Sequence, residues 1–321
     1  MAKGALALLI RGGTDNWPPE RWKARFKSAL GDRAVVSVAE DRFDPRAVRY
    51  AAVWKPEAGA LLAFPELKAV FNLGAGVDAV LSDPTFPQVP LVRVSDDDLT
   101  SRMTEYVVMH TLMHHRQQAY LDLCQQRREW APRVQWPAKA VRVGLLGMGV
   151  LGRHAARALR SLGFQVAGWS RTAHAVDGID SYAGPDGLPP FLARTDILIC
   201  LLPLTPQTRG ILCRSLFAQL ARDGVLGGPV VINAGRGGLQ VEDDILACLD
   251  DGTLKAVTLD VFEREPLEAD SPLWRHPAVR ISPHNAADTD PDVIATYVAA
   301  QIIDFEAGRP LRNVVDMGRG Y

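Results

Sequence analysis

The chain has 321 residues, 47% of them hydrophobic, with 36 Lys and Arg against 37 Asp and Glu for a formal net charge of −1. That length suits two domains with a core each, and the even charge balance lacks the global basic field that attracts nucleic acid. The first apolar run, 5–10, stops at Arg11, too short for a signal-peptide core with its cleavage site or for a membrane span, so a cytoplasmic protein without membrane partners is expected.

In chain order, short apolar strands are predicted at 5–10, 34–38, 51–54, 68–73 and 91–94, alternating with helical stretches in the rhythm of a small parallel α/β domain. The run Ser95-Asp96-Asp97-Asp98 then precedes a stretch from 100 to 128 without Pro or Gly, which reads as one long helix. Three adjacent carboxylates on one extended or helical segment cannot converge on one ion, so no metal site is expected. Six further strands are predicted at 141–146, 165–169, 196–202, 229–233, 256–259 and 279–281, the number a doubly wound dinucleotide-binding fold needs. A last helix, 291–306, has too little chain behind it to found a domain and is expected to pack back on the first one. The resulting division is a discontinuous domain of 1–98 with 285–321 and a second domain of 99–284. Cys124, Cys200, Cys213 and Cys248 lie far apart with no Cys-x-x-Cys pair, as befits reduced thiols.

The strand at 141–146 runs into Gly147-Met148-Gly149-Val150-Leu151-Gly152 and on into a helix and a second strand. Gly147 permits the tight turn, Gly149 lets backbone amides approach a pyrophosphate, and Gly152 lets the helix pack closely on its strand. At the end of the second strand an NAD site carries a carboxylate for the ribose 2′-hydroxyl. Here the chain reads Ser170-Arg171-Thr172. Arg171 can pair with a 2′-phosphate, helped by the two hydroxyls, so NADPH is the expected cofactor and NADH remains possible. Two further strand ends should face a dinucleotide: Leu202-Pro203 through Thr208, and Asn233-Ala234-Gly235-Arg236-Gly237. Arg236, flanked by glycines, is a candidate to hold an anionic substrate. Of seven histidines, His284 alone follows a strand on a Pro-stiffened loop; His110, His114, His115, His154, His174 and His276 read as structural. The segment Asp260-Val261-Phe262-Glu263-Arg264-Glu265-Pro266 offers carboxylates to orient that imidazole.

Together these motifs resemble the D-isomer-specific 2-hydroxyacid dehydrogenase family over almost the whole chain. The family's Arg, Glu and His, in that order, correspond to Arg236, Glu265 and His284. Its substrate-carboxylate loop corresponds to Leu73-Gly74-Ala75-Gly76-Val77-Asp78. The combination of Val53-Trp54-Lys55-Pro56, Trp169-Ser170-Arg171-Thr172, Ser271-Pro272-Leu273-Trp274 and Arg319-Gly320-Tyr321 is similar to the branch of the family that reduces glyoxylate and hydroxypyruvate.

The resemblance implies two doubly wound parallel-sheet domains, a Rossmann cofactor domain and a flavodoxin-like substrate domain, with the active site in the cleft. It implies hydride transfer to a 2-oxoacid, with His284 as proton donor, Glu265 favouring its charged form, and Arg236 neutralising the carboxylate and polarising the carbonyl. Gly74, Ala75 and Gly76 would bind the carboxylate and Trp54 would wall the pocket. The implied cofactor set is Gly147 to Gly152, Ser170, Arg171, Thr172, Leu202, Pro203, Thr208, Ala234, Gly235, Arg236, Asp260 and His284. A homodimer through the cofactor domains is implied too, with the 100–128 helix and the Trp130 and Trp136 segment as its surface. Asn72 and Asn285 depart from the family pattern and are expected to affect substrate choice. Two other readings share the fold: a dehydrogenase for another small acid, such as D-lactate, phosphoglycerate or phosphite, and a non-catalytic dinucleotide sensor.

Overall fold

A computed structural model describes residues 4–11, 19–173 and 175–320; His174 and Tyr321, named above, lie outside the described residues. In chain order the elements are β1 (Ala5–Ile10), α1 (Pro19–Leu30), β2 (Val35–Ser37), β3 (Val48–Trp54), β4 (Ala69–Asn72), α2 (Asp78–Leu81), β5 (Leu91–Arg93), α3 (Asp97–His115) and α4 (Gln118–Arg127). They continue with β6 (Arg142–Leu146), α5 (Val150–Ser161), β7 (Gln165–Ser170), β8 (Asp180–Ala183), α6 (Gly184–Ala193), β9 (Ile197–Cys200), α7 (Arg214–Phe217) and β10 (Val230–Asn233). The last are α8 (Glu242–Asp250), β11 (Ala256–Leu259), β12 (Val279–Ile281) and α9 (Pro291–Glu306). Two compact units result, residues 1–98 with 289–321, and residues 99–288.

The first unit is a five-stranded parallel sheet of order β2-β1-β3-β4-β5, the flavodoxin-like arrangement. Period-two alternation splits β1 between two cores. Leu6 and Leu8 join Trp22 and Phe26 of α1 and Ile294, Val298 and Ile302 of α9, while Ala5, Ala7 and Leu9 join Val53, Val70, Leu61 and Phe64 on the other face. Burial on both faces explains why β1 reads as an unbroken apolar run. Helix α9 starts where Asp290 accepts the Asp292 amide at 2.8 Å with Pro291 in the first turn. Its far end is held by Glu306, which pairs with the buried Arg33 at 2.5 Å and accepts the Tyr50 hydroxyl at 3.2 Å.

The second unit is a seven-stranded parallel sheet of order β12-β11-β10-β9-β6-β7-β8. The order reverses between β6 and β9, and the loops after β6, β9, β10, β11 and β12 all leave the carboxyl edge, where ligands of open parallel sheets bind. The start of β6 is tied to that of β9 by Asp196, 2% exposed, whose carboxylate takes the Arg142 amide at 2.8 Å and its guanidinium at 2.7 Å. No helix among the described residues is long and apolar enough to cross a membrane.

Two expectations need correction. The sheet has a seventh strand, β8, whose Asp-Ser-Tyr-Ala sequence pairs only with β7; an edge strand half open to water need not be apolar, so it gave no signal. The single helix expected over 100–128 is two. Its acidic start lies inside the first turn, where Asp97 and Asp98 face the positive helix end. It then breaks at Gln117, which takes a left-handed φ of 56° without Gly or Pro. Tertiary bonds make the break: the Gln117 carboxamide donates to the Val134 carbonyl at 2.8 Å and the Tyr120 hydroxyl to Ala131 at 2.9 Å, laying 131–134 along α4.

Candidate active site

In the second unit the glycine turn after β6 is built by contacts that exclude side chains. Gly147 has φ 107°, and a Cβ on it would meet the Leu201 carbonyl oxygen at 2.9 Å. A Cβ on Gly152 would reach the Gly147 oxygen at 1.9 Å. Gly149 differs, because its Cβ would meet nothing within 4 Å. Open space therefore lies over the start of α5, and the amides of Gly149, Val150 and Leu151 donate to no acceptor among the described residues. A twelve-residue helix presenting unpartnered amides to an open cradle fits a pyrophosphate. Met148 is buried, its sulfur 2.3 Å from where a Gly168 Cβ would stand, so Gly168 makes room for it. At the end of β7 the Ser170 hydroxyl donates to the Thr172 carbonyl at 2.7 Å, shaping the turn that exposes Arg171 and Thr172.

The loop after β9 is closed on itself: the Thr208 hydroxyl donates to the Pro203 carbonyl at 2.7 Å and accepts the Thr205 amide at 2.8 Å. Leu202 is buried beneath it, and its carbonyl oxygen lies 2.9 Å from where a Gly235 Cβ would stand. After β10, buried Asn233 organises the next turn. Its Oδ1 accepts the Gly235 amide at 3.1 Å, and its Nδ2 donates to the Arg236 carbonyl at 3.2 Å and to Gln240 Oε1 at 2.8 Å. Ala234 is buried and Arg236 half-buried, its Nη1 donating to the Gly235 carbonyl at 2.8 Å. The backbone of Phe262 passes so close that a Cβ on Gly237 would lie 1.8 Å from its carbonyl oxygen. The Arg236 turn and the Glu265 segment are therefore packed together.

Glu265 and His284 stand nineteen residues apart in sequence and meet with Nδ1 to Oε2 at 2.7 Å, while Glu265 Oε1 accepts the Phe262 amide at 3.2 Å. With Nδ1 engaged, Nε2 is left to face a ligand; the imidazole is about one-third exposed. His284 itself has φ 54°, a left-handed backbone that costs a non-glycine residue about 1 kcal/mol. Asp260, 1% exposed, holds it there. Its carbonyl accepts the His284 amide at 2.8 Å, and its carboxylate takes the Ser282 hydroxyl at 2.7 Å and the amides of Asn285 and Ala286 at 3.0 and 3.1 Å. Burial raises the Asp260 carboxyl above the usual carboxylate range against the pull of these donors and of His284. Tyr106 on α3, also buried, shares a 2.7 Å hydrogen bond with the Ser282 hydroxyl and extends the brace.

The other described histidines are absorbed into structure. Burial pushes His110 down to about 4 and His114 to about 3, and His114 Nε2 meets the Thr258 hydroxyl at 2.8 Å. His115 packs edge-on against Phe164, His154 Nδ1 meets the Thr104 hydroxyl at 2.7 Å, and His276 Nδ1 accepts the Ala278 amide at 3.2 Å.

In the first unit, Gly74, Ala75 and Gly76 form a half-exposed loop after β4. The Trp54 ring lies where a Gly74 side chain would be, Cζ3 standing 2.5 Å from an ideal Cβ. Asn72 is 2% exposed and donates to the carbonyls of Gly74 and Gly76; it lies beneath the loop and does not line a surface. Sequence reasoning gave no role to Tyr106, Ser282, Asn233 or Gln240. A polar residue at a strand's carboxyl end was the available signal for Asn233 and Ser282; Tyr106 gave none, being 176 residues from its partner.

The arrangement belongs to a known class. Residues 108–286 match the family described as D-isomer specific 2-hydroxyacid dehydrogenase, NAD binding domain, and the chain belongs to that family; it is an oxidoreductase. It is 44% identical over 286 residues to glyoxylate/hydroxypyruvate reductase A of Yersinia enterocolitica, covering 87% of this chain and 90% of that protein. Among solved structures, the NADPH-dependent glyoxylate/hydroxypyruvate reductase of Sinorhizobium meliloti, in complex with NADP and sulfate, superposes with a TM-score of 0.94 at 46% identity, covering 99% of this chain and 100% of that one. A probable 2-hydroxyacid dehydrogenase of Rhizobium etli, in complex with NADP, HEPES and L(+)-tartaric acid, gives 0.93 at 42% identity with both chains fully covered.

The brace under His284 is directly testable. Replacing Asp260 with Ala leaves the Ser282 hydroxyl and two amides without their acceptor, which should lower stability by about 2 kcal/mol. Amide exchange at Asn285 and Ala286 should accelerate; unchanged protection at both would remove Asp260 from this role.

Proposed function

We propose that this protein reduces small 2-oxoacids with NADPH, glyoxylate to glycolate and hydroxypyruvate to glycerate. The observation that carries the reading is the 2.7 Å contact between His284 Nδ1 and Glu265 Oε2 on strand-end loops beside the Arg236 turn; the names of the similar proteins support the substrate class. The amides at the start of α5 would hold the pyrophosphate, with Ala234, Gly235 and the 202–208 loop bordering the rest of the dinucleotide. Arg171 would meet the 2′-phosphate, with Ser170 and Thr172 beside it. When bound, NADPH supplies the hydride that goes to the carbonyl carbon.

The chain's own residues do the remainder. Arg236 neutralises the substrate carboxylate and draws electron density toward the carbonyl oxygen. Charged His284 gives its Nε2 proton to that oxygen as the C–O double bond becomes single, so one hydride and one proton convert ketone or aldehyde to alcohol. Glu265 holds Nδ1–H and with it the imidazole's orientation. General acid catalysis of this kind contributes about 10²- to 10⁴-fold. The Ala75 and Gly76 amides bind the carboxylate, and Trp54 over Gly74 limits the space to small acids. Residues 99–288 are thus the cofactor-binding unit and 1–98 with 289–321 the substrate-binding unit. A cytoplasmic homodimer completes the reading; α3, α4 and the segment carrying Trp130, 98% exposed, and Trp136, 44% exposed, supply its surface.

Replacing His284 with Ala should cut reduction at least 100-fold while NADPH affinity, read by nucleotide fluorescence, falls far less. A fully active variant removes the proton donor.

Arg171→Ala separates the cofactors. It should weaken NADPH by about 10-fold or more, the scale of one charge-assisted pair, and leave NADH nearly unchanged. Equal losses for both nucleotides would place Arg171 away from the 2′-phosphate.

A further inference from the structure

We propose that Asn72 is a positioning residue that sets the polarity of the 74–77 loop for an anionic substrate. The inference rests on the carboxylate-binding role proposed above for that loop. Asn72 ends β4 in the interior of the five-stranded sheet, paired in register with Val53 on β3 and Arg93 on β5. Asparagine is disfavoured in strands, and at 2% exposure its amide must find partners inside the protein. It finds two, since Nδ2 donates to the carbonyls of Gly74 at 2.7 Å and Gly76 at 2.9 Å.

The consequence follows from peptide geometry. In a trans peptide the C=O and the following N–H point in opposite directions. Drawing the Gly74 and Gly76 carbonyls toward Asn72 therefore turns the N–H groups of Ala75 and Val77 away from it. The 75–76 peptide between them, which carries the Gly76 amide, is held at both ends. The amides of Gly74, Ala75, Gly76 and Val77 donate to no group among the described residues. A loop half-exposed at 74–76, with the Gly74 and Gly76 carbonyls drawn to Asn72 and its amides unpartnered, presents positive polarity, as an anion-binding nest does. The Trp54 ring resting against Gly74 fixes the loop from another side. An apolar residue at position 72 would leave both carbonyls without this donor and the two peptide planes free to turn. Asn72 thus acts through the loop and touches no substrate itself.

The test uses the full chain with NADPH and glyoxylate. Asn72→Asp keeps the size of the side chain and replaces its two N–H donors with acceptors that repel both carbonyls. KM for glyoxylate should rise about tenfold or more, the scale of a lost pair of hydrogen bonds, with kcat changed far less and NADPH affinity unchanged. Protonation restores one donor, so the KM ratio of variant to parent should shrink between about pH 8 and about pH 5, toward the carboxyl titration. In a crystal structure of the variant the Gly74 and Gly76 carbonyls should turn away from position 72. An unchanged KM with both carbonyls unmoved, in a variant that still binds NADPH, overturns the proposal. If Asn72→Asp fails to bind NADPH, Asn72→Ser carries the same KM and carbonyl criteria. A parent protein that reduces no 2-oxoacid sinks the functional reading alone, and the carbonyl orientation in the variant then decides the role of Asn72.

Discussion

The candidate site depends first on one buried carboxylate. Asp260 sits at the carboxyl end of β11, and its backbone amide donates to the Asn233 carbonyl at 3.0 Å, so it is fixed to the strand that precedes the Arg236 turn. From there its carboxylate and carbonyl hold residues 282–286 and impose a left-handed backbone on His284. Without that network the conformation would relax toward the ordinary right-handed or extended basins. Several hydrogen bonds in a low-dielectric setting offset both the strain and the cost of burying the acid. From that backbone position the His284 imidazole meets Glu265, Nδ1 to Oε2 at 2.7 Å.

The two units solve the same problem by different means. In the second, glycines remove side chains where backbones must approach: Gly152 against the Gly147 carbonyl, Gly237 against Phe262, Gly235 against Leu202. In the first, the close approach is made by a ring, Trp54 over Gly74, and the polarity of the loop is set by the Asn72 amide. In both, the candidate binding surface is backbone amide or a side chain on a loop, while the supports are the ends of parallel strands.

Much of the fold was legible because parallel strands buried on both sides are continuous apolar runs, as β1 is; β11, β12 and α9 also read with the bounds the structure has. What escaped was set by contacts distant in sequence. The Asp-Ser-Tyr-Ala strand β8 exists because β7 offers it an edge. The break at Gln117 exists because the segment around Ala131 and Val134 needs partners on α4. At the candidate site, Arg236, Glu265 and His284 were named from their motifs, and all three stand on loops that leave strand ends, with His284 and Glu265 in contact. Their supports could not be named that way, because Tyr106, Ser282 and Asn233 are ordinary residues whose role is created by what lies across the fold from them. Asn72 was visible as an oddity expected to affect substrate choice; its burial and its two carbonyl partners place it beneath the loop.

The central claim is that this chain is a reductase of small 2-oxoacids that prefers NADPH. Initial rates on a panel of glyoxylate, hydroxypyruvate, pyruvate and larger 2-oxoacids, measured in parallel with NADPH and NADH, test it most directly. The account predicts the highest kcat/KM for glyoxylate and hydroxypyruvate, at least tenfold higher with NADPH than with NADH, the scale of one charge-assisted contact to the 2′-phosphate. Equal use of both nucleotides, preference for a bulkier acid, or no turnover with any of them would contradict it.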